Sequence, residues 1–389
     1  MEREAKSNPI TGESENMRVA LVHDFLVQRG GAERVLRVLA DMYPQAPIYT
    51  LLYDKEGMGV YFADREVRVS HLDKLPRFLK KRRRYLLPFF AIAPETFDLR
   101  DFDVVISSSG AWSKGVVTRL NTAHVAYIHS PMRFAWDYSD RYISQIKEKK
   151  LSVLARLVLT YVRLWDRLAA DRPDILLANS EYTKKRIAKY YRRESEVVYP
   201  PIGMEEGGGK KEEGKRRKGE KGYFLTVSRL SAYKHADAIV EAFNKLKIPL
   251  VVVGTGEQQE KLKKIAAPWV RILGEVGDRE LWSYYQGARA FVFAAEEDFG
   301  MVLAESLREG CPVVALRAGG AAEIVQEGVT GEFFDHPTAE VIADGVRRFL
   351  AKEGSYDEAA MKKSVEKFSR EKFAEEIKAA VQKALAKNS

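Results

Sequence analysis

From Met17 onward, apolar runs alternate with amphipathic stretches. MRVALVHDFL (17–26) is apolar and rich in β-branched residues, which predicts a buried strand. GGAERVLRVLADMY follows, and its Val35, Leu36, Val38 and Leu39 fall at helical spacing. FDVVISSS (102–109), AHVAYIHS (123–130) and DILLANS (174–180) read as further strands, each ending in small polar residues. Helices are expected between them, most clearly over 145–171 and 181–192. The periodicity is lost in PPIGMEEGGGKKEEGKRRKGEKG (200–222), whose glycines and charges predict a linker. It then restarts, with strands at 223–230, 249–256, 270–276, 290–296 and 311–317 and a further one at GEFFD. Helices are expected near 235–247, 257–267, 278–288, 301–309, 320–327, 338–352 and 356–386.

Strands that alternate with helices imply mostly parallel sheets covered on both faces, here two doubly wound α/β domains in series. The expected division is a disordered tail at 1–16, a domain at 17–202, the linker at 203–222 and a domain at 223–370. A C-terminal helix at 371–389 is expected to pack back toward the first domain. Ligands of such sheets bind at the carboxyl ends of the strands, so the strand-to-helix turns are where chemistry is sought.

Four turns stand out. QRGGAER (28–34) carries Gly30 and Gly31 into a helix, where backbone amides can approach an anion. It lacks the GxGxxG spacing of a dinucleotide fingerprint. VSRLSAYKHAD (227–237) sets Arg229 and Lys234 either side of a turn, within reach of one diphosphate. In AEEDFGMVLAE, Gly300 permits a turn and the amides of Gly300, Met301 and Val302 are helix N-terminal donors. Leu303 and Leu307 supply that helix's buried face, with Glu305 pointing elsewhere as an acceptor for a vicinal diol and Glu297 for other hydroxyls. In AYIHSPMRFAWDY (126–138), His129 ends a strand just before Pro131.

Composition narrows the class. The 389 residues suit two domains, and the single Cys311 excludes an intrachain disulfide and reads as a small buried residue. No secretory leader or spanning segment is evident, which predicts a cytoplasmic protein. The net charge of +9 is unevenly placed: residues 1–200 hold 34 Lys/Arg and 25 Asp/Glu, and residues 201–389 hold 30 of each. DKLPRFLKKRRRYLLPFFAIAP (73–94) interleaves seven Lys/Arg with leucines and aromatics, so residues 74–84 are expected to meet an anionic membrane surface. A basic nucleic-acid-binding protein is the reading from a different class. Against it, no recognisable nucleic-acid module is present and the aromatics fall in apolar stripes.

These motifs resemble the retaining GT-B glycosyltransferases, particularly glycosyltransferase family 4. The family's Glu-x7-Glu element resembles Glu297 to Glu305, its Arg-x4-Lys pair resembles Arg229 and Lys234, and GCPVVALRAGGAAEIV is similar to the stretch that follows. HDFLVQRGGAERVL and YIHSPMRFAWD resemble bacterial mannosyltransferases of polysaccharide and O-antigen synthesis. The resemblance implies two Rossmann-like domains facing each other across a cleft. Arg229 and Lys234 would neutralise a nucleotide diphosphate, and Glu305 would hold the ribose. Glu297 and the amides near Phe299, Gly300, Met301 and Val302 would hold the donor sugar. Gly30 and Gly31 would approach the diphosphate, and His129 the anomeric centre; His129, Arg229, Lys234 and Glu297 form the implied catalytic set. Leu303 and His235 stand where many relatives have proline and arginine.

The implied reaction retains anomeric configuration and needs neither metal nor cofactor, two cations and helix amides doing the metal's work. The implied donor is GDP-mannose, with a UDP-sugar as the alternative. The acceptor is a lipid-linked sugar or oligosaccharide at the inner face of the cell membrane. An epimerase or phosphorylase of the same fold is a further alternative.

Overall fold

The computed structural model describes residues 17–76, 86–144, 149–203 and 222–388. The expected tail at 1–16, most of the linker (204–221) and most of the basic segment (77–84) lie outside the described residues. The chain divides into two compact units. The first comprises Met1–Asn179, Thr183–Val198 and Ala374–Ser389, and the second Ser180–Tyr182 and Tyr199–Phe373.

The first unit is built on strands β1 (Val19–Leu26), β2 (Ile48–Tyr53), β3 (Val67–Val69), β4 (Val104–Ser109), β5 (Ala123–Ile128), β6 (Ile175–Ala178) and β7 (Glu196–Val197). Their order is β3-β2-β1-β4-β5-β6-β7, with every described pairing parallel. β4 and β5 are buried along their whole length, as a strand covered by helices on both faces must be. The second unit carries β8 (Tyr223–Val227), β9 (Leu250–Val253), β10 (Val270–Gly274), β11 (Ala288–Phe293), β12 (Val313–Leu316) and β13 (Gly331–Phe334). Their order is β10-β9-β8-β11-β12-β13, again parallel throughout. Alternation sorts its side chains: Leu225, Phe291, Phe293 and Cys311 join the core of one face, and Phe224, Val292, Val314 and Phe334 that of the other.

Two doubly wound parallel sheets are what the alternation predicts. The differences are local. β2, β3 and β7 were not among the expected strands, and the strand expected over 290–296 ends at Phe293. The expected helix at 320–327 is only Ala321–Ile324. The single helix expected over 356–386 is divided into Glu358–Ser364, a 3-10 turn at Glu366–Phe368, and Arg370–Asn388. Buried Phe368 anchors the break, and extended Ser369 restarts the helix by accepting the Lys372 amide on its Oγ at 3.2 Å.

Candidate functional site

In the second sheet the strand order reverses between β8 and β11, the topological switch point where doubly wound sheets bind ligands. The loop after β8 carries Arg229, which is exposed, and Lys234, which is only 8% exposed. Lys234 closes a 3-10 turn (Ala232–Lys234), and His235, in the left-handed region at φ 54°, leads into the helix Ala236–Leu246. The loop after β11 carries Glu297. Its carboxylate forms an ion pair with the Lys234 ammonium, which also lies 4.8 Å from the Tyr233 ring centroid and 5.8 Å from that of Phe293. Two of the residues singled out from sequence thus bridge the switch point directly.

Beyond Glu297 the chain turns at Gly300 (φ 93°, ψ 57°) and enters the helix Met301–Arg308. The Phe299 ring is buried against Tyr199 and Phe368, so only the backbone of Phe299 can serve a ligand. Met301 and Val302 are half-buried and pack on the same core. The helix is not amphipathic in the expected way. Leu303, Ala304, Glu305, Ser306 and Leu307 are all buried, because the helix is packed against β11, β12 and the helix Glu358–Ser364. Glu305 is therefore not on a face opposite the core; it is a buried carboxylate, 2% exposed.

The loop's shape depends on Gly319 and Gly320, which the sequence reading left without a role. Gly320 N–H donates to the Glu297 carbonyl at 2.9 Å. A Cβ on Gly319 would lie 2.1 Å from the Glu297 carbonyl oxygen, and one on Gly320 would lie 2.2 Å from that of Phe299. Only glycines permit this approach of backbone to backbone.

The first unit holds a separate cluster at the carboxyl ends of β1, β4 and β5. Gly30 is the extended N-cap of the helix Gly31–Met42, so both glycines stand at a helix N-terminus. The register aligns His23 with Ser108. His23 Nδ1 lies 3.1 Å from Ser108 Oγ, which lies 2.7 Å from His129 Nε2. One hydroxyl can donate to one ring and accept from the other. On its far side His23 Nε2 lies 3.7 Å from Glu33 Oε1, so a polar chain runs from buried Glu33, His23 and Ser108 to half-buried His129. The backbone of His129 is fixed as well, its N–H donating to the Ser109 carbonyl and its carbonyl accepting from Asn179. Burial, reinforced by neighbouring His23, pulls the His129 pKa down to about 3. His129 is thus a neutral hydrogen-bonding group. Among the described residues its Nδ1 has no hydrogen-bond partner.

Asp24, beside His23, accepts four backbone N–H groups, from Gly110, Ala111, Trp112 and Ser113, at 2.6–2.7 Å. It fixes the loop after β4. His23, Asp24, Glu33 and Ser108 were not assigned roles from sequence. The available signal was a His-Asp pair interrupting the apolar run of β1.

Comparison with known proteins agrees with the two halves. The family described as Glycosyltransferase Family 4 matches residues 29–206, and Glycosyl transferases group 1 matches residues 209–371. The chain is 30% identical over 209 residues to a GDP-mannose-dependent alpha-(1-6)-phosphatidylinositol monomannoside mannosyltransferase of Mycobacterium tuberculosis. That match covers 47% of this chain and 54% of the relative, so the chain spans about half the length of this relative. It is 24% identical to the alpha-1,3/1,6-mannosyltransferase ALG2 of Mus musculus, over 90% of this chain and 92% of the relative. Among solved structures, sucrose-phosphate synthase of Thermosynechococcus elongatus superposes with a TM-score of 0.67 at 15% identity, covering 94% of this chain and 99% of that one. Anabaena Alr3699/HepE in complex with UDP-glucose gives 0.66 at 17% identity, covering 94% and 100%. With family matches running through both halves and parallel sheets of the same architecture, the chain belongs to the GT-B glycosyltransferases of glycosyltransferase family 4.

Proposed function

We propose that this protein transfers a sugar, with retention of configuration and without a metal, from a nucleotide donor to a glycan or lipid-linked acceptor in cell-surface polysaccharide synthesis. The observation that carries this reading is the meeting of Lys234 and Glu297 across the β8/β11 switch point, one turn from the buried Glu305. Arg229 and Lys234 receive the donor diphosphate, whose charge grows as the bond to the sugar breaks. Glu305 accepts the ribose hydroxyls. Glu297 and the amides of Gly300, Met301 and Val302 receive the sugar. In the other unit, considered by itself, the helix N-terminus at Gly30 and Gly31 offers backbone amides to an anion, and the neutral His129 offers a hydrogen bond to a sugar.

Glu297 is the candidate nucleophile, but an ammonium already engages it. That engagement weakens it for attack and favours a front-face route, in which the leaving phosphate takes the acceptor's proton. A covalent glycosyl-enzyme trapped at Glu297 would overturn this. GDP-mannose is the favoured donor, supported by the mannosyltransferase relatives; a UDP-sugar is the alternative. A thermal-shift panel of GDP-, UDP- and ADP-sugars tests the choice, because a bound donor stabilises the folded state by mass action. GDP-mannose is expected to give the largest shift, and a larger one with a UDP-sugar would reassign the donor. Product NMR then reads the anomeric configuration, and activity undiminished by a chelator is the expected result for metal independence.

A further inference from the structure

The helix Lys149–Ala169 of the first unit is fixed on one side and bare on the other. On its inner side Leu159, Val162 and Ala169 are buried, and Trp165 packs on Trp112 with ring centroids 5.0 Å apart. Its one carboxylate, Asp166, is fully buried. It pairs with Lys114 and accepts from Trp136 Nε1 at 2.8 Å and Tyr191 OH at 3.0 Å. The helix therefore cannot rotate to bury its other face without breaking a buried, charged network.

That other face is apolar. Leu154, Leu157, Leu164 and Leu168 are 56%, 64%, 60% and 56% exposed, and Tyr161 is 46% exposed. Their three-four spacing sets them in one stripe along the helix. Phe89, on the helix Leu87–Phe90 that touches this one, is 52% exposed and adds to the apolar surface. A run of large side chains this exposed signals an unfilled interface.

Charge says what fills it. The helix sequence carries five Lys/Arg (149, 150, 156, 163 and 167), and its only acid is the buried Asp166. Among the described residues, the outward carboxylates nearby are Asp140 and Asp171, paired with Arg156 and Arg167. A second copy docked stripe to stripe would bring together two flanks that each hold more Lys/Arg than Asp140 and Asp171 offset, with no exposed carboxylate on the helix itself. Anionic lipid head groups complement the arginines while acyl chains take the leucines.

We propose that the outward face of the Lys149–Ala169 helix is the surface that rests on a bilayer of anionic phospholipids. It lies in-plane, since no helix among the described residues is long and apolar enough to cross a membrane. The site differs from the basic segment expected at 74–84. Its purpose, bringing the enzyme to a lipid-linked acceptor, rests on the glycosyltransferase reading; the contact itself does not.

The test is co-sedimentation of the full chain with phosphatidylcholine vesicles that contain or lack phosphatidylglycerol. The wild type is compared with Leu157→Ser/Leu164→Ser, and donor-induced thermal shifts are measured on the same samples without vesicles. Expected are wild-type binding to phosphatidylglycerol vesicles, a loss of about tenfold in the variant, and equal melting temperatures and donor shifts in both. Absent wild-type binding, or equal binding by the variant, overturns the proposal. So does a vesicle-free dimer that the same substitutions split, which assigns the face to self-association. Vesicle binding that responds as expected, with no shift from any nucleotide sugar, supports the surface and counts against the glycosyltransferase reading.

Discussion

On the proposed reading, with Lys234 and Glu297 already paired, an incoming diphosphate has to compete with a resident carboxylate for the same ammonium. Two carboxylates eight residues apart should therefore respond oppositely. Glu297→Gln frees Lys234, so affinity for GDP alone should be kept or raised while kcat falls, because the group proposed to face the sugar is lost. Glu305→Gln removes a charged acceptor from a buried position and should weaken GDP binding by about 1–3 kcal/mol. Calorimetric titration of both variants checks the contrast, and parallel losses would count against separate nucleotide and sugar roles. Histidines supply a second prediction. Burial lowers His124 from 6.5 to about 4, its Nε2 lying 2.8 Å from Ser107 Oγ. The unfolded chain takes up this proton first, so the contribution is complete above about pH 6.5 and is lost as pH falls toward 4. For His124 the drop corresponds to on the order of 3 kcal/mol. Melting temperatures from pH 7 to pH 4 should fall less steeply in His124→Asn than in the wild type.

Elements show where sequence reasoning reached and where it stopped. Strand-helix alternation was legible because most strands are largely apolar runs, a consequence of burial on both faces, although β2 (IYTLLY), itself largely apolar, was not picked out. β3 and β7 were not, since three and two residues at the sheet edges carry little pattern. Arg229, Lys234, Glu297 and Gly300 could be placed because they fall at strand ends, where sequence order and spatial proximity coincide. The polar chain from Glu33 through His23 and Ser108 to His129 could not, since it depends on the β1–β4 register, set by pairing across 85 positions. The burial of Glu305 was likewise hidden, since its helix packs against the distant helix Glu358–Ser364 as well as against the sheet. The glycine pair at 319–320 yields the prediction for this scale. Gly319→Ala puts a methyl against the Glu297 carbonyl at a φ of +60° and should destabilise by about 2 kcal/mol or more. It should also weaken donor binding while leaving the first unit's melting unchanged. A variant with normal stability and affinity would show that the loop yields without cost.

At the scale of the molecule, the end of the chain belongs to the unit where the chain begins. Ile377, Ala380, Val381 and Ala384 of the helix Arg370–Asn388 are buried. Lys383 pairs with Glu196, and Asn388 Nδ2 donates to Asp174 at 3.1 Å. Deleting 374–389 should cost the first unit on the order of 5 kcal/mol in lost apolar burial, visible as an earlier melting transition. This connectivity also orders events during synthesis. Residues up to Val198 leave the ribosome long before Ala374 exists. At about 5–20 residues per second that interval is roughly 10–40 s. The unit translated first thus waits for residues made much later: through that interval its β6–β7 edge lacks the helix that will cover it.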